Sequence, residues 1–143
     1  MIEETSNRLG VIGHGWTYSA HPICVAAGIA NLEMIDKHGL IESARKAGAA
    51  FNRMLREAFS GHRMVGEVRG EGLFAAVEFV TDPEKRIFFD PAQKIGPRVA
   101  AALLKRSVIA RAMPQGDILG FAPPRCLTEI ETGRIVDAVA KSL

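Results

Sequence analysis

The stretch MVGEVRGEGLFAAVEFV, residues 64–80, decides the fold of this chain. Two valines lead into a Gly70-Glu71-Gly72 turn, and the mostly apolar run Leu73–Val80 follows. Glycine-rich turns between short apolar runs are typical of paired antiparallel strands. The stretch therefore predicts two short strands joined as a hairpin.

Helical patterns flank this hairpin on both sides. Before it, apolar residues recur at three- and four-residue steps from about Ile41 to Phe59. After it, Ile95, Val99 and Leu103 repeat every four residues within 92–106. This spacing places the apolar side chains on one face of a helix, so each segment is predicted to be amphipathic and to pack on the sheet.

The rest of the C-terminal region supplies two more strands and a last helix. VIARAM (108–113) and ILGFA (118–122) are apolar runs around a Pro-Gln-Gly-Asp turn, and they predict the strands. TEIE (128–131) is a capping box that opens the final helix. From about residue 40 the order is α-β-β-α-β-β-α. We therefore expect an α+β fold, with a small, mostly antiparallel sheet and helices on one face.

The N-terminal part lacks this alternation of helices and strands. Residues 1–21 carry no sustained period and predict a loop, with a short strand at Leu9–Ile12. Pro22 suits the first turn of a helix that runs to about Lys37 and ends at Gly39. This helix is apolar around nearly its whole circumference, a pattern typical of a helix buried on all sides. It is either the central helix of a compact single domain or a helix enclosed by protein outside this chain; we favour the second.

Composition narrows the class of protein. The 143 residues are 48% hydrophobic and 24% charged, with a net charge of +2 and no concentrated basic face, which argues against nucleic acid as a partner. Cys24 and Cys126 lie in apolar stretches without metal-ligand spacing, so we expect buried free thiols rather than a disulfide or a metal site. The acidic, polar start and the lack of a long apolar run predict a cytoplasmic protein without a membrane span.

Four stretches, taken together and in order, resemble the C-terminal third of the class III pyridoxal-phosphate (PLP)-dependent aminotransferases, the ω-transaminase group. They are HGWTYSAHPICVAAGIANLEMI (14–35), GEVRGEGLFAAVEFV (66–80), VIARAM (108–113) and FAPPRCLTEIE (121–131). The family's loop reads close to G-F-T-Y-S-G-H-P, so Trp16 and Ala20 are departures, and Ala20 replaces a glycine.

The resemblance implies the C-terminal part of a fold-type I PLP transferase. Residues 1–39 would be a remnant of the large cofactor domain, made of a phosphate-contacting loop and an interdomain helix. Residues 40–143 would be the small C-terminal α+β domain. The implied activity is transfer of an amino group between an amine or amino acid and a keto acid.

The resemblance also implies roles for two residues. By its position, Thr17 corresponds to the threonine whose hydroxyl donates a hydrogen bond to the phosphate of PLP bound by the neighbouring subunit. The alternative interpretation is that the Thr17 hydroxyl only belongs to a turn and binds no cofactor. Arg111 corresponds to an arginine that binds the substrate carboxylate; otherwise it is a surface arginine on an edge strand. We expect Arg69 to tie the hairpin to the domain and His21 to be a structural cap, and we assign no role to His14.

No catalytic residue is assigned within this chain. In the family the Schiff-base lysine lies upstream of the T-Y-S loop, and none of the six lysines here stands in a matching motif. We therefore expect the chain to be inactive alone and to depend on a large cofactor domain or a second subunit, with a homo-oligomer as its natural state. The alternative is a self-standing, non-catalytic α+β module that binds a small anion or a protein partner.

Overall fold

The computed structural model describes residues 2–10 and 15–143, which form two compact units. The N-terminal unit is Met1–His38 and the C-terminal unit is Gly39–Leu143. The boundary lies where Gly39 adopts a left-handed conformation with φ of 56°. Glycine reaches this region at no steric cost, which suits a break between two helices.

The described residues of the N-terminal unit form two helices, α1 (Ile2–Leu9) and α2 (Pro22–Lys37). The loop predicted for residues 1–21 is therefore wrong over α1, and Leu9 ends this helix rather than beginning a strand. The rest of the predicted strand, Val11–Ile12, lies outside the described residues. A helix of eight residues is too short to show a sustained period, but Glu3 and Glu4 in its first turn and Arg8 in its last turn match the helix dipole.

Helix α2 has the bounds that its sequence predicts, with Pro22 in its first turn and its end at Lys37. It contains no buried residue. Ile23 is 75% exposed and Leu32 is 63% exposed. These apolar side chains are thus exposed within the part of the chain that the structure describes. That protein outside this chain covers the helix stays a prediction.

The C-terminal unit confirms the predicted α+β fold. Its helices are α3 (Leu40–Phe59), α4 (Ile95–Leu104) and α5 (Glu129–Ala140), and a short 3₁₀ turn covers Pro91–Gln93. Its strands are β1 (Val65–Glu71), β2 (Phe74–Phe79), β3 (Arg111–Ala112) and β4 (Ile118–Phe121). They form one antiparallel sheet in the order β1-β2-β4-β3.

The core lies between one face of this sheet and the helices. Alternate strand residues point inward: Val77, Leu119 and Phe121 are at most 6% exposed. Phe51 of α3 meets Phe121 edge to face, with ring centroids 5.9 Å apart. Burying each such side chain contributes about 1.5–3 kcal/mol, so this single layer of contacts holds the unit together.

Helix α3 approaches the β1–β2 turn closely because of a glycine and an asparagine. Gly48 is buried, and a Cβ built on it would collide with the backbone of Gly72. The buried Asn52 side chain donates through Nδ2 to the carbonyl oxygens of Gly48 (3.0 Å) and Gly72 (2.8 Å). These contacts hold the β1–β2 turn against α3.

The start of α5 agrees with the prediction from sequence, and the start of α4 differs from it. The predicted capping box is present: the Thr128 hydroxyl accepts from the Glu131 amide at 3.3 Å, and the Glu131 carboxylate accepts from the Thr128 amide at 2.9 Å. The helix predicted over 92–106 instead begins at Ile95, because Lys94 takes a left-handed conformation with φ of 49°.

The prediction of buried cysteines is wrong. Cys24 and Cys126 are free, as expected, but both are exposed. The apolar neighbours of Cys24 belong to α2, which is itself exposed, so an apolar stretch did not imply burial here. None of the helices in the described part of the chain has the length and apolarity that a bilayer span demands.

Candidate functional site

The sheet face opposite the core carries a row of four residues in register. Arg69 pairs with Ala76, Ala76 with Gly120, and Gly120 with Arg111. Directly opposed residues of antiparallel strands project to the same face. The row therefore places an arginine on each edge strand, with two small residues between them.

An open groove of about 1380 Å³ lies over this row. Its lining combines both arginines with apolar side chains that include Phe74, Met113 and Ile118. Apolar walls strengthen a charge pair formed beside them, because they displace water and lower the local dielectric. The groove is suited to a ligand that has an apolar part and a negatively charged group.

The two arginines of the groove differ in their partners. Arg69 Nη1 donates to Glu67 at 2.7 Å and to Glu78 at 3.1 Å, and the Glu78 hydrogen bond, reinforced by Glu67, raises the pKa of Arg69 above its usual value. Arg69 thus ties β1 to β2 within the hairpin, and does not tie the hairpin to the rest of the domain as predicted. The backbone of Arg111 pairs with Gly120 of β4, but its exposed guanidinium makes no hydrogen bond or ion pair with any residue that the structure describes. Arg111 is therefore the groove's available cation.

Thr17 lies in the N-terminal unit, in the turn that precedes α2. The turn is closed by hydrogen bonds from the Ser19 amide to the Trp16 carbonyl (2.9 Å) and from the Trp16 amide to the Ser19 hydroxyl (2.8 Å). Thr17 is exposed, and its hydroxyl makes no hydrogen bond within the described ranges 2–10 and 15–143. A hydroxyl left free by a closed turn can donate to an external anion.

The neighbours of Thr17 clarify two predictions. His21 holds the N-cap position of α2, but its side chain makes no capping hydrogen bond, so the predicted structural cap is present in position only. Its ring instead meets that of Tyr18 edge-on, with centroids 6.1 Å apart. Ala20 is left-handed with φ of 57°, a conformation that glycine adopts more readily than alanine. His14 lies outside the described residues.

Comparison with known protein families identifies the family to which this chain belongs. The family model for aminotransferase class-III matches residues 2–143. This chain belongs to the class III aminotransferases. The prediction made from four short stretches of sequence is confirmed over nearly the whole length.

Individual relatives of this class III aminotransferase chain are transaminases. It is 51% identical over 136 residues to the diaminobutyrate–2-oxoglutarate transaminase of Halomonas elongata, covering 95% of this chain and 29% of the relative. It is 47% identical to an uncharacterised aminotransferase of Sinorhizobium fredii, covering 100% of this chain and 31% of the relative. The chain thus spans about 30% of the length of the curated relatives it matches.

Solved structures support the same class III fold. A transaminase from directed evolution by ancestral reconstruction superposes with a TM-score of 0.88 at 52% identity, covering 99% of this chain and 31% of that one. An ω-transaminase from Thermomicrobium roseum superposes with a TM-score of 0.86 at 36% identity, covering 99% of this chain and 31% of that one. Each neighbour is a larger protein of which this chain matches about a third.

Sequence reasoning missed part of the candidate site. Gly120 and Ala76, the two small residues between the arginines, emerge only from the strand register. The pairing of Glu78 with Arg69 had a signal, since both residues fall on the polar phase of their predicted strands. Among residues 2–10 and 15–143, no group of three or more histidine, cysteine or acidic side chains is placed so that it could hold a metal ion.

Proposed function

We propose that this chain is the C-terminal part of a PLP-dependent class III transaminase that moves an amino group between an amine or amino acid and a keto acid. The observation that carries the proposal is the free Arg111 guanidinium in an open groove with apolar walls, within a chain matched end to end by the family model. The 51% identity to a diaminobutyrate–2-oxoglutarate transaminase supports an amino acid and a keto acid as the substrate classes.

Arg111 binds the substrate carboxylate in this proposal. A guanidinium presents parallel N–H donors that match the two carboxylate oxygens, so it fixes the orientation of the substrate as well as its charge. Gly120, directly opposite on β4, has no side chain, and the Met113 sulfur lies 3.4 Å from where its Cβ would stand, so an apolar group flanks Arg111. Arg69 does not take this role, because Glu67 and Glu78 already neutralise it.

Thr17 donates a hydrogen bond to the phosphate of PLP in this proposal. The residues present fit such an anion: the Thr17 hydroxyl has no partner among the described residues, and the first turn of α2 has no side-chain cap. Uncapped helix N-termini favour negative charge. When bound, PLP supplies the electron sink that amino-group transfer requires.

The lysine that carries PLP lies outside these 143 residues in this proposal. All six lysines are exposed, and none lines the groove that contains Arg111. Lys46, Lys85 and Lys141 form surface ion pairs with neighbouring acids. None of the six is therefore placed beside a substrate held by Arg111, as a Schiff-base lysine must be.

Reduction with borohydride tests this proposal. The 143-residue chain mixed with PLP should give no stoichiometric adduct at any single lysine and no transaminase turnover, whereas the Halomonas elongata relative, treated in parallel, should give both. Peptide mass spectrometry after reduction locates the adducts. One fully modified lysine in this chain, together with turnover, would refute the assignment of that lysine to another part of the enzyme.

The exposed apolar surface of α2 is suited to binding another protein surface, which in this proposal is the large cofactor domain or a second subunit. Five apolar side chains of this helix are between 48% and 75% exposed: Ile23, Val25, Ile29, Leu32 and Met34. A contiguous apolar surface of this kind is rare on soluble monomers and marks an interaction site. We therefore propose a homo-oligomeric enzyme in which α2 is covered.

Self-association of the isolated chain follows from this surface. Sedimentation should show a mass that rises with protein concentration, and Ile29→Glu should suppress the rise because it places a charge in the apolar surface. Ile130→Glu is the matched control: Ile130 is also exposed, at 73%, but lies on α5. A monomer at every concentration would favour the alternative of a self-standing module.

A further inference from the structure

The strand that presents Arg111 is short and paired on one side only. β3 has two residues, Arg111 and Ala112, and lies at the edge of the sheet beside β4. A two-residue edge strand gains little stability from its own hydrogen bonds. The direction in which Arg111 points therefore depends on what holds the β3–β4 hairpin.

Asp117, the last residue of the hairpin loop, makes two long-range attachments. Its side-chain Oδ1 accepts from the Gly96 amide of α4 at 2.8 Å, in a partly buried position. Its backbone oxygen accepts from the Phe79 amide at the end of β2, also at 2.8 Å. The loop itself closes with a 2.9 Å hydrogen bond from the Met113 amide to the Ile118 carbonyl.

Helix α4 has no local cap that could replace Asp117. Its N-cap residue, Lys94, is left-handed and makes no side-chain capping hydrogen bond. The Asp117 carboxylate supplies the missing acceptor from 21 residues away, at the helix end where negative charge is favoured. One side chain thus satisfies the helix and fastens the hairpin to it.

We infer that Asp117 is a positioning residue for substrate binding: its carboxylate fastens the β3–β4 turn to α4 and so fixes the strand that presents Arg111 to the substrate carboxylate. This inference rests on the proposed function of Arg111. Arg111 and Gly120 lie only two residue pairs beyond the Met113–Ile118 hydrogen bond, so a loosened turn moves Arg111 directly.

Two variants separate the hydrogen bond from the charge. Asp117→Ala removes the acceptor, and we expect it to raise KM for amino and keto acids by roughly 3- to 10-fold, the range for one lost hydrogen bond, with kcat and the KM for a simple amine unchanged. Asp117→Asn keeps an oxygen acceptor, so its KM values should stay within about twofold of the parent.

The control is a capping aspartate away from the groove. Asp90 Oδ1 accepts from the Ala92 amide at 2.9 Å at the start of the 3₁₀ turn. Asp90→Ala should leave the ratio of the two KM values unchanged, even if stability falls. All variants are made in the complete enzyme that carries this segment, and circular dichroism verifies their folding.

A double variant tests whether Asp117 acts through Arg111. Asp117→Ala should add nothing to the KM defect of Arg111→Ala, because the residue being positioned is already gone. Additive defects, or an Asp117→Ala loss that is equal for acids and amines, would overturn the inference. If only Arg111→Ala raises KM for amino and keto acids more than KM for a simple amine, only the Asp117 inference fails. If neither variant does so, the proposed function of Arg111 fails as well.

Discussion

Gly48→Ala should lower the free energy of unfolding of the C-terminal unit by about 3 kcal/mol or more, combining overpacking with a disrupted buried hydrogen bond. The added methyl group would collide with the backbone of Gly72, which cannot rotate away as a side chain can. Separating α3 from the turn would also lengthen the 2.8 Å hydrogen bond from Asn52 to Gly72.

Gly133→Ala is the matched control for that substitution. Gly133 also lies inside a helix of the C-terminal unit, but a Cβ built there meets only the Met54 methyl group, at 3.9 Å. Because alanine favours helix over glycine, Gly133→Ala should be neutral or stabilising by up to about 1 kcal/mol. Urea unfolding followed by circular dichroism measures both. Equal stabilities of the two variants would show that the approach of α3 to the turn is not tight.

Local signals in the sequence account for most of the elements. The Gly-Glu-Gly turn predicted the β1–β2 hairpin, and the Thr128–Glu131 pair predicted the start of α5, because each feature depends on residues that are close in the chain. Helix α1 was missed because eight residues carry too little periodicity. The late start of α4 was missed because nothing in the sequence marked Lys94 as left-handed.

The site could be predicted in part. The roles of Arg111 and Thr17 are predicted through family resemblance, since neither residue has a local pattern that distinguishes it from a surface arginine or a turn hydroxyl. The row that joins Arg111 to Gly120, Ala76 and Arg69 depends on the pairing of β2 with β4, whose residues are about 40 positions apart. The contact of Asp117 with Gly96 is also long-range, and no local pattern reveals it.

Arg111→Ala is expected to produce the largest functional effect. Loss of a charge-assisted, two-point contact with a carboxylate should cost roughly 2–4 kcal/mol, or about 30- to 1000-fold in KM for amino and keto acids. Amines without a carboxylate do not make this contact, so their KM should change little. The KM of Arg111→Lys for these acids should fall between those of the parent and Arg111→Ala, because lysine keeps the charge but lacks the planar guanidinium with its paired N–H donors.

Arg69→Ala is the control within the same groove. Its guanidinium is bound by Glu67 and Glu78, so its loss should weaken the β1–β2 pairing without discriminating between substrates. The variants can be made in the complete enzyme, or in a chimera in which this chain replaces the matching 29% of the Halomonas elongata transaminase.

The ratio of KM for a keto or amino acid to KM for a simple amine, in parent and Arg111→Ala enzymes, tests the central claim most directly. We predict that the ratio rises at least 30-fold in Arg111→Ala, the lower end of the range for a lost charge-assisted pair, and stays near the parent value in Arg69→Ala. An equal rise in both KM values in Arg111→Ala would contradict the account, because Arg111 would then support the fold rather than bind the substrate carboxylate.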